Sequence, residues 1–253
     1  MHANQGPWPG RFVWHDLMTK NAKASQDFYC AMFDWQIQEI PMGPCTYRMI
    51  TCGPGPIGGI VEEQNIPAPH WMPYLAVTDV DASAKLAGTI GGTCCVPPTD
   101  IPQTGRFAVL GDPTGGYFSI YKGLPESQGF DPDVPVPGRI CWNELLTTDP
   151  QKAQAFYGKL VGWKTQAKDM GPMGTYHLQL NGDKQAGGIM KSPQPGMPSA
   201  WLCYFFTQDL EGSHGKAKKL GATELVPPSP IPGIGRFSML LDPTGAAFAL
   251  FSM

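Results

Sequence analysis

Two acidic residues lie inside predicted β-strands, and they are the side chains of this sequence best suited to acid–base chemistry. Asp16 stands in the segment Trp14–Leu17, and Glu144 stands in the similar segment Trp142–Leu145. Residues two apart in a strand point to the same face, so each acid shares a face with the tryptophan before it. A carboxylate on a partly apolar face is partly desolvated, which suits a general acid or base. The sequence therefore predicts Asp16 and Glu144 as candidate catalytic residues.

A structural role for the two acids is the alternative, because buried charges in strands are normally paired. Arg106 and Arg236 recur in late strands of both halves and are the expected partners. Aromatic side chains of other strands could line ligand cavities, which are mostly apolar with few polar groups. The predicted ligand-binding residues are Trp14, Trp71, Tyr74, Arg106 and Tyr121 in the first half, and Trp142, Trp201, Tyr204 and Arg236 in the second.

These segments belong to a unit that occurs twice in the 253 residues. Phe28 and Phe156 lie 128 positions apart (156 − 28), and two Asp-Pro-Thr-Gly segments that start at Asp112 and Asp242 lie 130 apart (242 − 112). Such constant spacing indicates a tandem duplication. The predicted organisation is a lead-in at 1–10, a first domain at 11–122, a proline-rich linker at 123–138 and a second domain at 139–253.

Within each half, the hydrophobic pattern itself repeats. A strand is followed by an amphipathic helix and three short strands, and then the same order starts again. Asn21 and Asp149 are the expected N-caps of the first helix in each half. Each Asp-Pro-Thr-Gly segment is the expected hairpin turn between the last two strands. The predicted fold class is α+β, with four β-α-β-β-β units.

Composition and charge exclude several classes of protein. The net charge is −3, with 15% charged residues and no basic cluster, so nucleic acid is not an expected partner. No apolar run could span a membrane, and the first residues resemble no signal peptide. The seven cysteines form no CxxC pattern, which favours reduced thiols in a cytoplasmic protein.

The ordered set of motifs resembles the vicinal oxygen chelate (VOC) superfamily. The set comprises paired β-α-β-β-β units, a polar residue in the first strand, a helix ending in Phe-Tyr, and a late Asp-Pro-x-Gly hairpin, and it occurs twice. The superfamily includes glyoxalase I, bleomycin-resistance proteins and extradiol dioxygenases. More narrowly, Trp-x-(Asp/Glu)-Leu resembles tandem glyoxalase-like proteins that are labelled as hydroxylases. The resemblance implies that each unit curls its sheet into a half-barrel and that two units enclose a cavity, so the four units are expected to form two half-barrel cavities.

In the enzymes of this superfamily, the cavity holds a divalent metal on three ligands, and the resemblance places those ligands at defined positions here. These positions hold Trp14, Met72 and Ser119 in the first half, and Trp142, Leu202 and Ala249 in the second. None is a good ligand for a hard metal ion. Ser119 is instead predicted to contact the ligand. His15 and His70 are the fallback metal ligands, although a one-residue slip would point His15 to the other face. The alternative for His70 is a hydrogen bond where its strand begins.

Three functions remain open from the sequence. The first is a metal-free protein that binds an aromatic or natural-product molecule in an aromatic-lined cavity. The second is a metal-independent enzyme that uses Asp16 or Glu144 as acid or base. The third is a metal-dependent glyoxalase (a lyase) or an oxygenase with displaced ligands. No cofactor is predicted, and a divalent metal is the alternative. The expected partner is a small molecule rather than a membrane, and the chain is expected to be a monomer or homodimer.

Overall fold

The structure is a computed structural model that describes residues 9–43, 45–53, 55–124, 135–171, 174–193 and 196–253. The lead-in expected at 1–10 and the linker expected at 123–138 are therefore described only in part, because 1–8 and 125–134 lie outside these ranges. In the described ranges, no helix is long and apolar enough to cross a membrane.

The elements follow one order that occurs four times: a strand, a helix and three strands. The first repeat contains β1 (Phe12–Thr19), α1 (Ala22–Phe33), β2 (Gln36–Met42), β3 (Cys45–Cys52) and β4 (Gly55–Glu62). The second contains β5 (His70–Ala76), α2 (Val80–Thr89), β6 (Thr93–Ile101), β7 (Gly105–Gly111) and β8 (Tyr117–Gly123). The third contains β9 (Ile140–Thr147), α3 (Pro150–Val161), β10 (Lys164–Asp169), β11 (Thr175–Asn181) and β12 (Lys184–Lys191). The fourth contains β13 (Ala200–Phe206), α4 (Leu210–Lys219), β14 (Thr223–Ile231), β15 (Gly235–Leu241) and β16 (Ala247–Ser252).

Each of these four helices starts after an Asn or Asp that caps it. The cap side chain accepts a hydrogen bond from the backbone N–H three residues on, which satisfies a donor that the first helical turn leaves unpaired. The distance from Asn21 Oδ1 to the Ala24 nitrogen is 3.0 Å, and Asp149 Oδ1 lies 3.0 Å from the Lys152 nitrogen. Both expected caps are confirmed. The other two caps are Asp79 and Asp209.

The strands form two curled eight-stranded sheets, and each sheet combines two of the four repeats. The strand order is β2-β3-β4-β1-β5-β8-β7-β6 in the first sheet and β10-β11-β12-β9-β13-β16-β15-β14 in the second. In each repeat the last strand runs parallel to the first, while its last three strands are antiparallel neighbours. The helix supplies the connection that such a parallel pair needs. The expected α+β class and the two tandem half-barrels are confirmed.

The chain also divides into two compact units that do not follow the halves of the sequence. The first unit comprises Met1–Trp14, Pro73–Gly129 and Asn143–Trp201. The second unit comprises His15–Met72, Phe130–Trp142 and Leu202–Met253. Each unit has its own hydrophobic core. The first therefore joins the helices of the second and third repeats, and the second joins those of the first and fourth.

The core of the first unit is built around Tyr157, which is fully buried. Its ring stacks on Trp163 at 5.4 Å between centroids, and the Trp201 indole N–H donates to its hydroxyl at 3.1 Å. The hydroxyl in turn donates to Asp112 Oδ2 at 3.0 Å. Burial and the Asp112 carboxylate raise the pKa of Tyr157 well above its usual value, so it stays a proton donor. This network explains why the Phe-Tyr helix and the Asp-Pro-Thr-Gly turn recur together.

The core of the second unit repeats this arrangement around Tyr29. Its ring stacks on Trp35 at 5.3 Å, and its hydroxyl accepts from the Trp71 indole at 3.0 Å. Burial, and then the nearby Asp242 carboxylate, raise the pKa of Tyr29. Among the described residues, however, Asp242 Oδ2 has no hydrogen-bond partner. The second unit thus keeps the packing of the first, and its Tyr29 and Asp242 stand close enough for the carboxylate to raise the pKa of the hydroxyl, but in a less favourable hydrogen-bond geometry than Tyr157 and Asp112.

Candidate functional site

Core packing identifies the face of each sheet that is left for a ligand. Successive side chains of a strand point to opposite faces, so residues that alternate with core residues lie on the other face, here called the inner face. In β8, Phe118 and Ile120 belong to the core, which places Ser119 and Tyr121 on the inner face. In β13, Cys203 and Phe205 belong to the core, which places Tyr204 there.

In the second unit, Asp16 of β1 forms a buried pair with a tyrosine from β3. The Tyr47 hydroxyl donates to Asp16 Oδ1 at 2.7 Å, and Asp16 is only 4% exposed. Asp16 pairs in register with Gly59 of β4, where a Cβ atom would stand 2.1 Å from the Tyr47 hydroxyl. A glycine is required there because any side chain would displace the tyrosine.

In the first unit, Glu144 of β9 has the same setting. It is 7% exposed and pairs in register with Gly188 of β12. A Cβ atom at Gly188 would stand 1.9 Å from the hydroxyl of Tyr176, a residue of β11. A glycine therefore makes room for a tyrosine beside the strand acid in both units. The sequence predicted the acids but missed the tyrosines, although the recurring Gly-Gly-Ile of β4 and β12 was a signal for them.

Arg106 and Arg236, the arginines expected to pair with these acids, bind other carboxylates instead. Arg106 binds Asp81 and Asp100, with Nε and Nη1 distances of 2.8 Å, and its side chain is one-third exposed. Arg236 binds Glu211 on the exposed surface. These arginines hold a late strand to neighbouring acidic groups, so their placement does not favour the predicted ligand contact.

The inner face of the first unit carries a group of three half-buried aromatic residues, here called the first aromatic patch: Tyr74, Phe107 and Tyr121. The Tyr74 ring lies 6.3 Å from Phe107 and 6.4 Å from Tyr121, measured between centroids. The Tyr121 hydroxyl donates to the Thr104 carbonyl at 3.0 Å, which fixes that ring. Ser119 is the register partner of Tyr74 and lies at the base of the patch.

The second unit carries a matching group, here called the second aromatic patch: Tyr204, Phe237 and Phe251. The rings of Tyr204 and Phe237 lie 6.3 Å apart. Phe237 and Phe251 are register partners, and Ala249 pairs with Tyr204 in the place that Ser119 takes in the first unit. The structure therefore groups Tyr74, Ser119 and Tyr121, three of the predicted ligand-binding residues, and it places Tyr204 in an equivalent group.

Two predicted ligand-binding tryptophans lie in the cores instead. Trp71 is buried against Tyr29 and Phe205, and Trp201 is buried against Tyr157. Their indole N–H groups are used by the tyrosine hydroxyls, so their placement does not favour ligand contact. By contrast, the strand tryptophans Trp14 and Trp142 are only half-buried.

The positions at which the resemblance expects metal ligands hold side chains that do not fit a hard divalent ion. Tryptophan, leucine and alanine do not coordinate, and methionine is a soft ligand. Among the described residues, no three His, Cys, Asp or Glu side chains lie close enough together to hold a metal. His15 is buried, and His70 Nδ1 lies 2.8 Å from the Ala68 carbonyl, which is the expected bond at the strand's start.

Known proteins of similar sequence extend over nearly the whole chain. "Putative glyoxylase CFP32" of Mycobacterium tuberculosis is 33% identical over 244 residues, which cover 94% of this chain and 92% of that protein. "Anthracycline biosynthesis protein DnrV" of Streptomyces peucetius is 28% identical over 267 residues, which cover 97% of this chain and 94% of that protein.

Solved structures of the same fold are more distant in sequence. The Mn(II)-bound glyoxalase from Novosphingobium aromaticivorans has a TM-score of 0.69 at 16% identity, over 96% of this chain and 82% of that one. The 2,3-dioxygenase LapB from Pseudomonas sp. KL28 has a TM-score of 0.66 at 14% identity, over 96% of this chain and 92% of that one. The family profile described as "Glyoxalase/Bleomycin resistance protein/Dioxygenase superfamily" matches residues 139–250. With a relative at 33% identity along almost its whole length, this chain belongs to the glyoxalase/bleomycin resistance protein/dioxygenase superfamily.

Proposed function

We propose that this protein binds planar aromatic small molecules on the inner faces of its two sheets and does so without a metal ion. The observation that carries the proposal is the pair of aromatic patches, which face away from the cores. Tyr74, Phe107 and Tyr121 are half-buried, although a core would bury such rings completely. Flat rings at about 6 Å from one another can receive a further ring by stacking or edge contact.

The residues at the family's metal positions support binding without a metal. A chelate mechanism needs oxygen or nitrogen donors on three strands, and Trp14, Met72 and Ser119 supply one weak donor, the serine hydroxyl. The name of the Streptomyces peucetius relative supports an aromatic ligand, because anthracyclines are planar polycyclic compounds. Fold alone would not identify a ligand class, since this fold carries many functions.

A second candidate function is metal-independent catalysis at the strand acids. The observation that favours it is the 2.7 Å bond between Tyr47 and Asp16, which brings a proton donor and an acceptor together in a buried setting. A substrate that displaced the tyrosine hydroxyl would meet a carboxylate able to take its proton. The double variant Asp16→Asn plus Glu144→Gln tests this role. Unchanged turnover of a candidate substrate would rule out the catalytic role. Unchanged ligand binding and an unchanged melting temperature would rule out a ligand-orienting and a structural role for the acids.

Calorimetric titration with anthraquinone-2-sulfonate, a soluble planar compound, tests the proposed binding. The wild-type protein should bind it in buffer that contains a chelator, and the compound should be recovered unchanged. Tyr74→Ala and Phe237→Ala remove one half-buried ring from each patch. Each should weaken binding about three- to tenfold at its own site, because an aromatic contact contributes about 0.5–1.5 kcal/mol.

The matched controls are Tyr74→Phe and Phe237→Tyr, which keep both rings and should retain the wild-type affinity. Absence of binding by the wild-type protein would contradict the proposal. So would ring-removing variants that bind as tightly as the ring-keeping controls.

A further inference from the structure

We propose that the Ser119 hydroxyl is the group of the first aromatic patch that binds an oxygen atom of the ligand. The second aromatic patch, which has Ala249 at that position, then accepts an unsubstituted ring. The inference rests on the proposed function, and it adds the chemistry by which the two patches choose different ligands. The first would take oxygenated planar compounds such as quinones or phenols.

The first step is that Ser119 has an unused hydrogen-bonding group. The residue is 0% exposed, and among the described residues its Oγ has no hydrogen-bond partner. A buried hydroxyl without a partner costs about 1–3 kcal/mol of stability. An alanine would avoid this cost, as Ala249 does in the second unit.

The second step is the direction of the hydroxyl-bearing side chain. Phe118 and Ile120 on either side of Ser119 are core residues, so Ser119 points to the inner face. Tyr74 is its register partner on β5, and Tyr121 follows two residues later on β8. Because Ser119 is covered in the free protein, a planar ligand reaches its hydroxyl by displacing the side chains that cover it, which brings the edge of the ligand to Ser119. A carbonyl oxygen there could accept from the hydroxyl, and a phenol could donate to it.

The third step is the difference between the two patches. Ser119 and Tyr121 of the first correspond to Ala249 and Phe251 of the second, in the same register on β8 and β16. A site built to hydrogen-bond an oxygen discriminates strongly against a compound that lacks it, because its own polar group then stays unpaired. A site lined by apolar groups distinguishes such compounds poorly.

The test compares anthraquinone-2-sulfonate with anthracene-2-sulfonate, which has the same skeleton without the two carbonyl oxygens. Calorimetric titrations use the Phe237→Ala protein, in which the second patch has lost a ring. Adding Ser119→Ala should weaken binding of the anthraquinone about three- to tenfold, the value of one neutral hydrogen bond, and leave binding of the anthracene unchanged. The reverse variant Ala249→Ser, in otherwise wild-type protein, should improve binding of the anthraquinone at the second patch.

Ser238→Ala is the matched control. Ser238 of β15 is also 0% exposed and its Oγ has no partner among the described residues, but its register partner Leu250 is a core residue. Both serine-to-alanine variants should raise the melting temperature of the ligand-free protein by about 2–4 °C, because each removes an unpaired buried hydroxyl. Only Ser119→Ala should change binding.

The outcomes separate this inference from the proposed function. If both compounds bind but Ser119→Ala changes neither affinity, or changes both equally, the inference is overturned and the proposed function stands. If Ser238→Ala weakened binding of the anthraquinone as much as Ser119→Ala does, the inference would be overturned as well. If Ser119→Ala lowers the melting temperature, the hydroxyl already has a partner in the free protein and the inference fails. If neither compound binds to the wild-type protein, both proposals are overturned.

Discussion

The two compact units share one core design but differ in the parts that are free to change. In both cores, a helix tyrosine accepts a hydrogen bond from a tryptophan indole, and the aspartate of an Asp-Pro-Thr-Gly turn raises the pKa of its hydroxyl. On the inner faces, Ser119 and Tyr121 of one unit stand against Ala249 and Phe251 of the other. The comparison teaches that the packing residues of the two cores stayed alike after duplication, whereas the inner faces came to differ in polarity.

The largest expected effect concerns the turn aspartates. Asp112 accepts from the Thr114 backbone and hydroxyl, from the Gly116 backbone and from Tyr157, whereas no partner is found for Oδ2 of Asp242 among the described residues. Asp112→Ala should lower the free energy of unfolding by about 3–5 kcal/mol, and Asp242→Ala by about 1 kcal/mol less. Urea unfolding measures both. Equal losses would show that Tyr29 bonds to Asp242 as Tyr157 does to Asp112.

Removing the tyrosine hydroxyl should also lower the free energy of unfolding more in the first unit than in the second, although both losses should be smaller than those of the aspartate variants. Tyr157→Phe removes the hydroxyl that donates to Asp112 and accepts from Trp201, and it should cost about 1–3 kcal/mol. Tyr29→Phe removes the acceptor of Trp71 and a less well aligned contact with Asp242, so it should cost less. Both variants keep the ring packing, so a larger loss in Tyr29→Phe would contradict the difference between the cores.

A smaller expected effect is a pH dependence of the melting temperature that arises from Glu224 in the second unit. The hydrogen bond with His214, followed by that with Lys218, lowers the pKa of Glu224 below its ordinary value of 4.5. A lowered folded-state pKa stabilises the protein above the unfolded-state value, and this contribution is lost as the pH falls through the folded-state pKa. The melting temperatures of wild type and Glu224→Gln should therefore differ near pH 6 and converge toward pH 3.

Cys94 supplies the control for that measurement, because it occupies the position of Glu224 in the first half. The difference in melting temperature between Cys94→Ala and the wild type should stay constant between pH 6 and pH 3. A constant difference for Glu224→Gln across this range would show that its ion pairs contribute nothing in solution.

The repeated motifs predicted the fold well, because they are the residues that hold each core together. Phe28-Tyr29, Phe156-Tyr157 and the two Asp-Pro-Thr-Gly turns have their roles set by short-range helix and turn geometry, which a sequence shows directly. Whether Trp71 and Trp201 face a core or a ligand was harder to predict. Their strands are buried on both faces, so hydrophobic alternation does not show which face meets the helices.

The partners of charged and polar groups were the least predictable part. Arg106 binds Asp81 of α2 and Asp100 of β6, a choice that depends on how three separate elements meet. Tyr47 reaches Asp16 only because β3 and β4 pair in one register and Gly59 leaves space between them. No local pattern in the sequence encodes such a contact, although a glycine recurring in both halves marks where one occurs.

The most direct test of the account is the metal content of the untagged protein, purified without chelator and analysed by elemental mass spectrometry. The account predicts far less than one equivalent of manganese, iron, nickel or zinc per chain, and the same result after dialysis against Mn(II). A near-stoichiometric metal would contradict binding without a metal. It would also make His15 and His70 the first side chains to test as metal ligands.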